Sequence, residues 1–311
     1  MFTAAGKGRL VAAGAVVVGA ALALAGCSSS DPLSSGSSNS ASATTLSIAS
    51  QDYYESETIS EIYAQALENA GYKIDRQGRV GQREVYLKDL TAGNIDIFPE
   101  YDGSLLQALD SKTTATTADD VYAALQTALK PDDLTALTPA PASDQNSWTV
   151  TEDFAKKYDL TDLASLKNVT EPIYVGGNAE LQTRPYGPKT LESKYGIKIA
   201  GFKAVQDSSG PLTVKALVDG TVQLANIYTS DPNISANNLV ALDDPDGLFL
   251  PDNITPIVTS KVDDKARDII DAIDAKLTQD ELLKINSESV NDQKSAKDIA
   301  SGWLTDQGLL G

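Results

Sequence analysis

Side chains able to do chemistry are few in this sequence, and the ones best placed are aromatic. There is no histidine, so no Ser-His or Cys-His pair can activate a nucleophile and no imidazole can hold a metal. The Ser-x-x-Lys spacing of a Ser–Lys pair is missing as well, and the adjacent Ser193-Lys194 does not fit it. Cys27 is the single cysteine, which excludes an internal disulfide. These absences argue against an enzyme, and no cofactor or metal is expected. Tyr101 and Tyr228 stand out by position. Each lies just past an apolar, strand-like run, 95–98 and 222–227, where an α/β protein places residues that face a crevice. An aromatic face there covers methyl groups and attracts a diffuse positive charge through the ring quadrupole.

The elements that must position these rings alternate along the chain. Residues 45–49 read as a short strand. Residues 55–69 read as a helix, with Ile59, Ile62, Tyr63, Ala66 and Leu67 at helical spacing and Gly71 as its stop. A strand at 72–75, a helix at 83–92 ended by Gly93, and a strand at 95–98 closed by Pro99 complete a βαβαβ unit. The pattern recurs as strand 173–176, helix 191–195, strand 197–202, helix 214–219 and strand 222–227. The spans 264–277, 279–287 and 296–307 are helical. The expectation is an α/β fold of two lobes with a helical tail and a ligand in the interlobe crevice. A length of 311 residues and 41% hydrophobic content permit two real cores.

Charge narrows the partners. Lys and Arg total 25 against 43 Asp and Glu, a net charge of -18, which repels nucleic acid and anionic membranes. No nucleic-acid partner is expected. Such acidity suits a cationic or zwitterionic ligand, although solubility alone explains it equally well.

The first residues read as an address. Lys7 and Arg9 precede an apolar stretch at 10–24 that ends in Leu24-Ala25-Gly26-Cys27. That order describes a secretory signal, too short and too rich in Ala and Gly for a comfortable membrane span. Residues 28–44, dominated by Ser, Ala, Gly and Asn, read as a flexible tether. The Leu-Ala-Gly-Cys end is similar to the bacterial lipobox, which implies a signal peptide at 1–26, a lipidated Cys27 and a tether to residue 44. The protein is then expected outside the cytoplasmic membrane, held by its lipid anchor.

A specific family comes into view at Gly93-Asn94-Ile95-Asp96-Ile97-Phe98-Pro99-Glu100-Tyr101-Asp102-Gly103-Ser104. The stretch resembles the Pro-Glu-Tyr-Thr-Gly-Thr segment of glycine betaine/choline-binding proteins of osmoprotectant ABC transporters, with Asp102 and Ser104 in place of the threonines. Ser50-Gln51, Thr183-Arg184-Pro185-Tyr186-Gly187, Tyr228-Thr229-Ser230-Asp231 and Asp243-Asp244 with Phe249 and Pro251-Asp252-Asn253 resemble other family segments in order. The likeness covers roughly residues 45–311. It implies a type II periplasmic-binding-protein fold with a two-stranded hinge, lobe 1 at 45–146 plus 254–311 and lobe 2 at 147–253. It further implies a monomer that passes its solute to an ABC permease and its ATPase.

A trimethylammonium group offers no N–H, so a box of aromatic faces is the simplest way to hold it. The resemblance implies Tyr101 and Tyr228 as two walls. It implies Trp148 of Asn146-Ser147-Trp148 as a third, with burial in a core as its alternative. Asp252 stands where the family has a fourth aromatic. It either contacts the ammonium, favouring choline, or re-aims the pocket. Arg184 matches an arginine that takes a carboxylate, with a salt bridge between the lobes as the alternative. Ser104 and Gln51 align with polar ligand contacts, and each could equally be a cap or turn residue. Glu100 reads as structural, bracing lobe closure, and Phe98 as core. Rival readings are a binding protein of the same fold for an aromatic or polyol solute, an envelope hydrolase, and a structural envelope lipoprotein.

Overall fold

The computed structural model describes residues 45–310, so the signal, tether and Cys27 expectations lie outside the described residues. The chain runs β1 (Thr45–Ser50), α1 (Tyr54–Asn69), β2 (Lys73–Arg79), α2 (Arg83–Thr91), β3 (Ile97–Tyr101), α3 (Asp102–Leu109), α4 (Ala118–Leu129) and β4 (Thr135–Ala136). It continues through β5 (Asn146–Thr151), α5 (Glu152–Tyr158), β6 (Ile173–Gly177), α6 (Pro188–Tyr195), β7 (Ile199–Ala204), α7 (Pro211–Val218), β8 (Leu224–Tyr228), α8 (Asn233–Ala236) and β9 (Leu239–Ala241). It returns with β10 (Ile254–Val258) and closes with α9 (Asp264–Asp274), α10 (Gln279–Val290) and α11 (Ala296–Asp306).

Among the described residues the strands form two five-stranded sheets, ordered β2-β1-β3-β10-β4 and β7-β6-β8-β5-β9. Each has a parallel core, β2-β1-β3 or β7-β6-β8, extended by an antiparallel strand that follows a crossing from the other sheet. The two crossing segments run side by side. Ser143 and Asn253 form an antiparallel bridge, and the Asp144 N–H donates to the Asp252 carbonyl at 3.1 Å. This is a two-lobed α/β fold with a two-stranded crossover, as the sequence led us to expect.

Apolar spacing explains the local structure. Ile59, Ile62, Tyr63, Ala66 and Leu67 recur on one face of α1, and all are buried against β1, α9, α10 and α11 in one apolar cluster. Gly71, at φ +96, takes the left-handed turn that ends α1. Lobe 2 has its own core, which includes Val150, Val175, Leu191 and Leu224.

Strand β3 departs from the sequence reading. It does not close at Pro99 but runs through it to Tyr101, because Pro99 sits opposite Pro256 of β10. The Pro256 carbonyl accepts from Leu137 on the far side, so this pair needs no N–H between its members. Tyr101 is therefore the last residue of β3 and the residue on which α3 starts.

Candidate ligand-binding site

Where the two lobes meet, beside the crossing segments, a small cavity is lined by Gln51, Tyr53, Tyr101, Asn146, Tyr186 and Tyr228. Arg83, Ser104, Asp144, Arg184 and Asp252 complete its wall. The walls are close, with ≈ 10 Å³ of room for the centre of a water molecule. A wider cleft of ≈ 370 Å³ adjoins it through the shared residues Arg83, Ser104, Arg184 and Tyr186.

The aromatic part comes from both lobes. The Tyr53 ring, in the loop before α1, lies 6.1 Å from that of Tyr101 and 5.3 Å from that of Tyr228, centroid to centroid and tilted. Tyr186, 1% exposed, adds a ring from lobe 2 that packs on Phe249 at 5.6 Å. The Tyr101 hydroxyl donates to Glu55 at 2.6 Å, which fixes its ring. Tyr53 lies two residues after Gln51 in the same loop, and that adjacency was its only signal in the sequence.

Trp148 is a correction. It is not among the cavity-lining residues. Its indole is fully buried in the lobe 2 core beside Val150, and its Nε1 has no hydrogen-bond partner. Side chains alternate along a strand, so Asn146 and Trp148 share a face of β5. Asn146, at the strand end, reaches the crevice, and Trp148 points into the core.

Behind Tyr101 a buried ion pair braces lobe 1. Arg83 donates to Glu100 through Nε at 2.9 Å and Nη2 at 2.8 Å. Glu100 also accepts from Tyr86, from Gln51 Nε2 at 3.3 Å and from the Tyr101 N–H at 2.8 Å. All these partners stand on the first-sheet side, so Glu100 stiffens one wall and does not bridge the lobes. Gln51 is at the cavity with its amide nitrogen committed to that network. Phe98 stacks on Tyr86 in the core.

Arg184 bridges the lobes. From lobe 2 it donates to Glu84 at 3.1 and 3.2 Å and to Gln82 Oε1 at 3.1 Å, both in lobe 1. Gln82 in turn donates to Ser208 of lobe 2 at 2.8 Å, and Ser208 to the Asp52 carbonyl at 2.8 Å. Gly187 holds this loop in place: a Cβ there would meet the Leu181 carbonyl at 2.0 Å.

The polar end of the cavity is acidic. Asp252 accepts from the Ser104 N–H at 2.8 Å and from its hydroxyl at 2.5 Å, closing the start of α3. Burial pushes its carboxyl up to about 7, against the pull of the Ser104 bonds. Asp102, two residues before Ser104 on α3, is pushed up to about 8 by burial and then by Asp252. Gly103 permits this closeness, since a Cβ would meet the Pro251 carbonyl at 2.1 Å. Asp144, on the crossing segment, accepts from the Ser230 N–H at 2.8 Å, and burial followed by the charge of Glu55 raises it well above the usual carboxylate range. Glu55, itself raised by burial, joins α1 to Ser230 at 2.7 Å and to Asn286 of α10.

Residues 44–306 match the substrate-binding domain of the ABC-type glycine betaine transport system. The chain belongs to that family. As such a substrate-binding domain it is an extracytoplasmic solute-binding component that works with a permease and an ATPase, and it is not an enzyme. It is 26% identical over 272 residues to the glycine betaine-binding protein YehZ of Escherichia coli, covering 82% of this chain and 88% of that one. It is 23% identical to the carnitine transport binding protein OpuCC of Listeria monocytogenes, covering 84% and 86%. Among solved structures, a glycine betaine/carnitine/choline ABC transporter protein superposes with a TM-score of 0.69 at 20% identity, over 86% of this chain and all of the other. Among the described residues no helix is long and apolar enough to cross a membrane, and no group of acidic residues is arranged to hold a metal.

Proposed function

We propose that the chain captures a quaternary ammonium solute of the glycine betaine/choline type in the cavity between its lobes. The carrying observation is the convergence of Tyr53 and Tyr101 from lobe 1 with Tyr186 and Tyr228 from lobe 2 at one small cavity beside the crossover. The rings form a cage for a cation that has methyl groups and no hydrogen to donate. Each face contributes about 0.5–2 kcal/mol, so four faces supply up to about 8 kcal/mol, the scale of micromolar binding. The names of the relatives point to the same solute class. The relative movement involves 45–146 with 254–311 against 147–253. The solute enters when the walls part and draws them together, because only the closed form brings rings from both lobes to it. The bridge from Arg184 to Glu84 and Gln82 then latches the closed form.

In this reading the leader is removed before Cys27, which is lipidated and anchors a monomer to the outer face of the membrane for delivery to the permease. Calorimetric titration of the mature protein with glycine betaine, choline and carnitine tests the solute class. At least one should bind. Tyr101→Ala and Tyr228→Ala should each weaken that binding by about 2- to 30-fold. No binding of any quaternary amine would defeat the proposal.

A further inference from the structure

One polar chain in the cavity wall has a free end. The Asn146 amide nitrogen donates to the Ser104 hydroxyl at 3.2 Å, and that hydroxyl donates to Asp252 at 2.5 Å. The Asn146 amide oxygen, on a side chain only 6% exposed in the cavity wall, has no hydrogen-bond partner. The direction of the chain follows from Asp252. An ionised carboxylate only accepts, so Ser104 gives it its proton. The lone pair left on Ser104 then takes the Asn146 NH₂, and the amide oxygen is turned outward. A buried acceptor without a donor is costly, and a ligand that supplies the donor recovers that cost.

The charges around the cavity run the same way. Each of its arginines is already paired with a carboxylate, Arg83 with Glu100 and Arg184 with Glu84. Among the described residues the lining carboxyls Asp252 and Asp144 form no ion pair. The hydroxyls of Tyr53 and Tyr228 can either donate or accept, so they favour neither kind of ligand.

We infer that the Asn146–Ser104–Asp252 chain selects a quaternary ammonium cation bearing a hydroxyl, of the choline type, over a betaine bearing a carboxylate. The inference rests on the solute class proposed above. A hydroxyl donates to the Asn146 oxygen, whereas a betaine carboxylate brings a second acceptor and a negative charge to a wall that already has both. The groups facing Asp252 are Ser104 and Asp102 from α3, Arg83 from α2 and Glu100 from β3, with Asp144 on the neighbouring crossing segment and Arg184 from lobe 2. When Asp252 is protonated it can donate to Ser104, the chain can reverse, and the preference weakens.

The test is calorimetric titration of the mature protein with choline and with glycine betaine at pH 8 and pH 6, for the wild type, Asp252→Asn and Asn146→Leu. In the wild type at pH 8 choline should bind at least about tenfold more tightly than betaine, the worth of a hydrogen bond to a buried polar group. The ratio should shrink at pH 6 and in both variants, with choline losing more than betaine. Far-ultraviolet circular dichroism and melting confirm folding, and Asn146→Asp, which keeps an acceptor, should retain the choline preference if Asn146→Leu unfolds. Equal or tighter betaine binding by the wild type overturns the inference while leaving the solute class standing, as does an equal loss for both ligands in Asp252→Asn. Failure of both ligands to bind overturns this inference, and failure of carnitine as well overturns the solute class with it.

Discussion

Asn146 and Trp148 stand on one face of β5, about 7 Å apart along the strand. That distance separates a residue in the cavity wall from one in the lobe 2 core. The two therefore respond differently to mutation. Trp148→Ala removes a fully buried indole and should destabilise the protein by about 3–5 kcal/mol, read as a lower urea midpoint. Trp148→Phe removes the unpartnered Nε1 together with some volume and should cost distinctly less. If Trp148→Phe lowered solute affinity tenfold at unchanged stability, the indole would have to be at the cavity after all.

At the scale of elements, the site depends on how closely α3 approaches the returning chain. Asp102 accepts from the Gly103 and Asn253 N–H groups at 2.8 Å each, while Asp252 closes the same helix start through Ser104. Gly103 is what lets Pro251 lie against that turn. Gly103→Ala puts a methyl group onto a carbonyl oxygen, so the helix start and the crossing segment must separate. We expect a loss of about 1–3 kcal/mol in chemical denaturation, accompanied by weaker solute binding because Ser104 and Asp252 move with the backbone. A conservative exchange on the solvent face of α3 should change neither property.

Two further expectations belong to the molecule as a whole. The latch joins Arg184, whose side chain is 10% exposed, to Glu84, which is 46% exposed, so it resembles a surface ion pair more than a buried one. Glu84→Gln should therefore weaken solute binding only about two- to fivefold, chiefly through faster dissociation seen in stopped-flow traces. Stability should also respond to pH. Asp252 and Asp102 are raised to about 7 and about 8, and burial raises Glu55, Asp144 and Asp274 as well. Between about pH 4, where unfolded carboxyls titrate, and pH 8, the folded chain keeps protons that the unfolded chain has released. This contribution is complete below about pH 4 and is lost as pH rises through the folded values. Below pH 4 the chain instead loses what Glu68 gains from Arg76 and Asp263 gains from Tyr72. The ligand-free protein should therefore melt highest in mildly acidic buffer, near pH 5, and lower at pH 8. A melting temperature that climbed steadily from pH 5 to pH 8 would contradict the buried-acid picture.

The sequence by itself determined the two βαβαβ units, the helical tail, the two-lobed class and the rings at strand ends, whereas α3 to α5, α8 and the antiparallel strands β5, β9 and β10 had no reading of their own. Helical spacing in α1 and apolar runs in β3 and β8 are local properties, and the residues that finish a strand are read off with it. Tyr101 and Tyr228 were legible for that reason. Tertiary structure alone decided the rest. Whether Trp148 meets the cavity or the core depends on where β5 ends relative to the crevice. Whether Arg184 meets a solute or Glu84 depends on the other lobe. The charge on Asp252 depends on burial by segments about 150 residues away in the chain. Pairing and burial across such distances are set by packing, and local residue pattern holds no record of them.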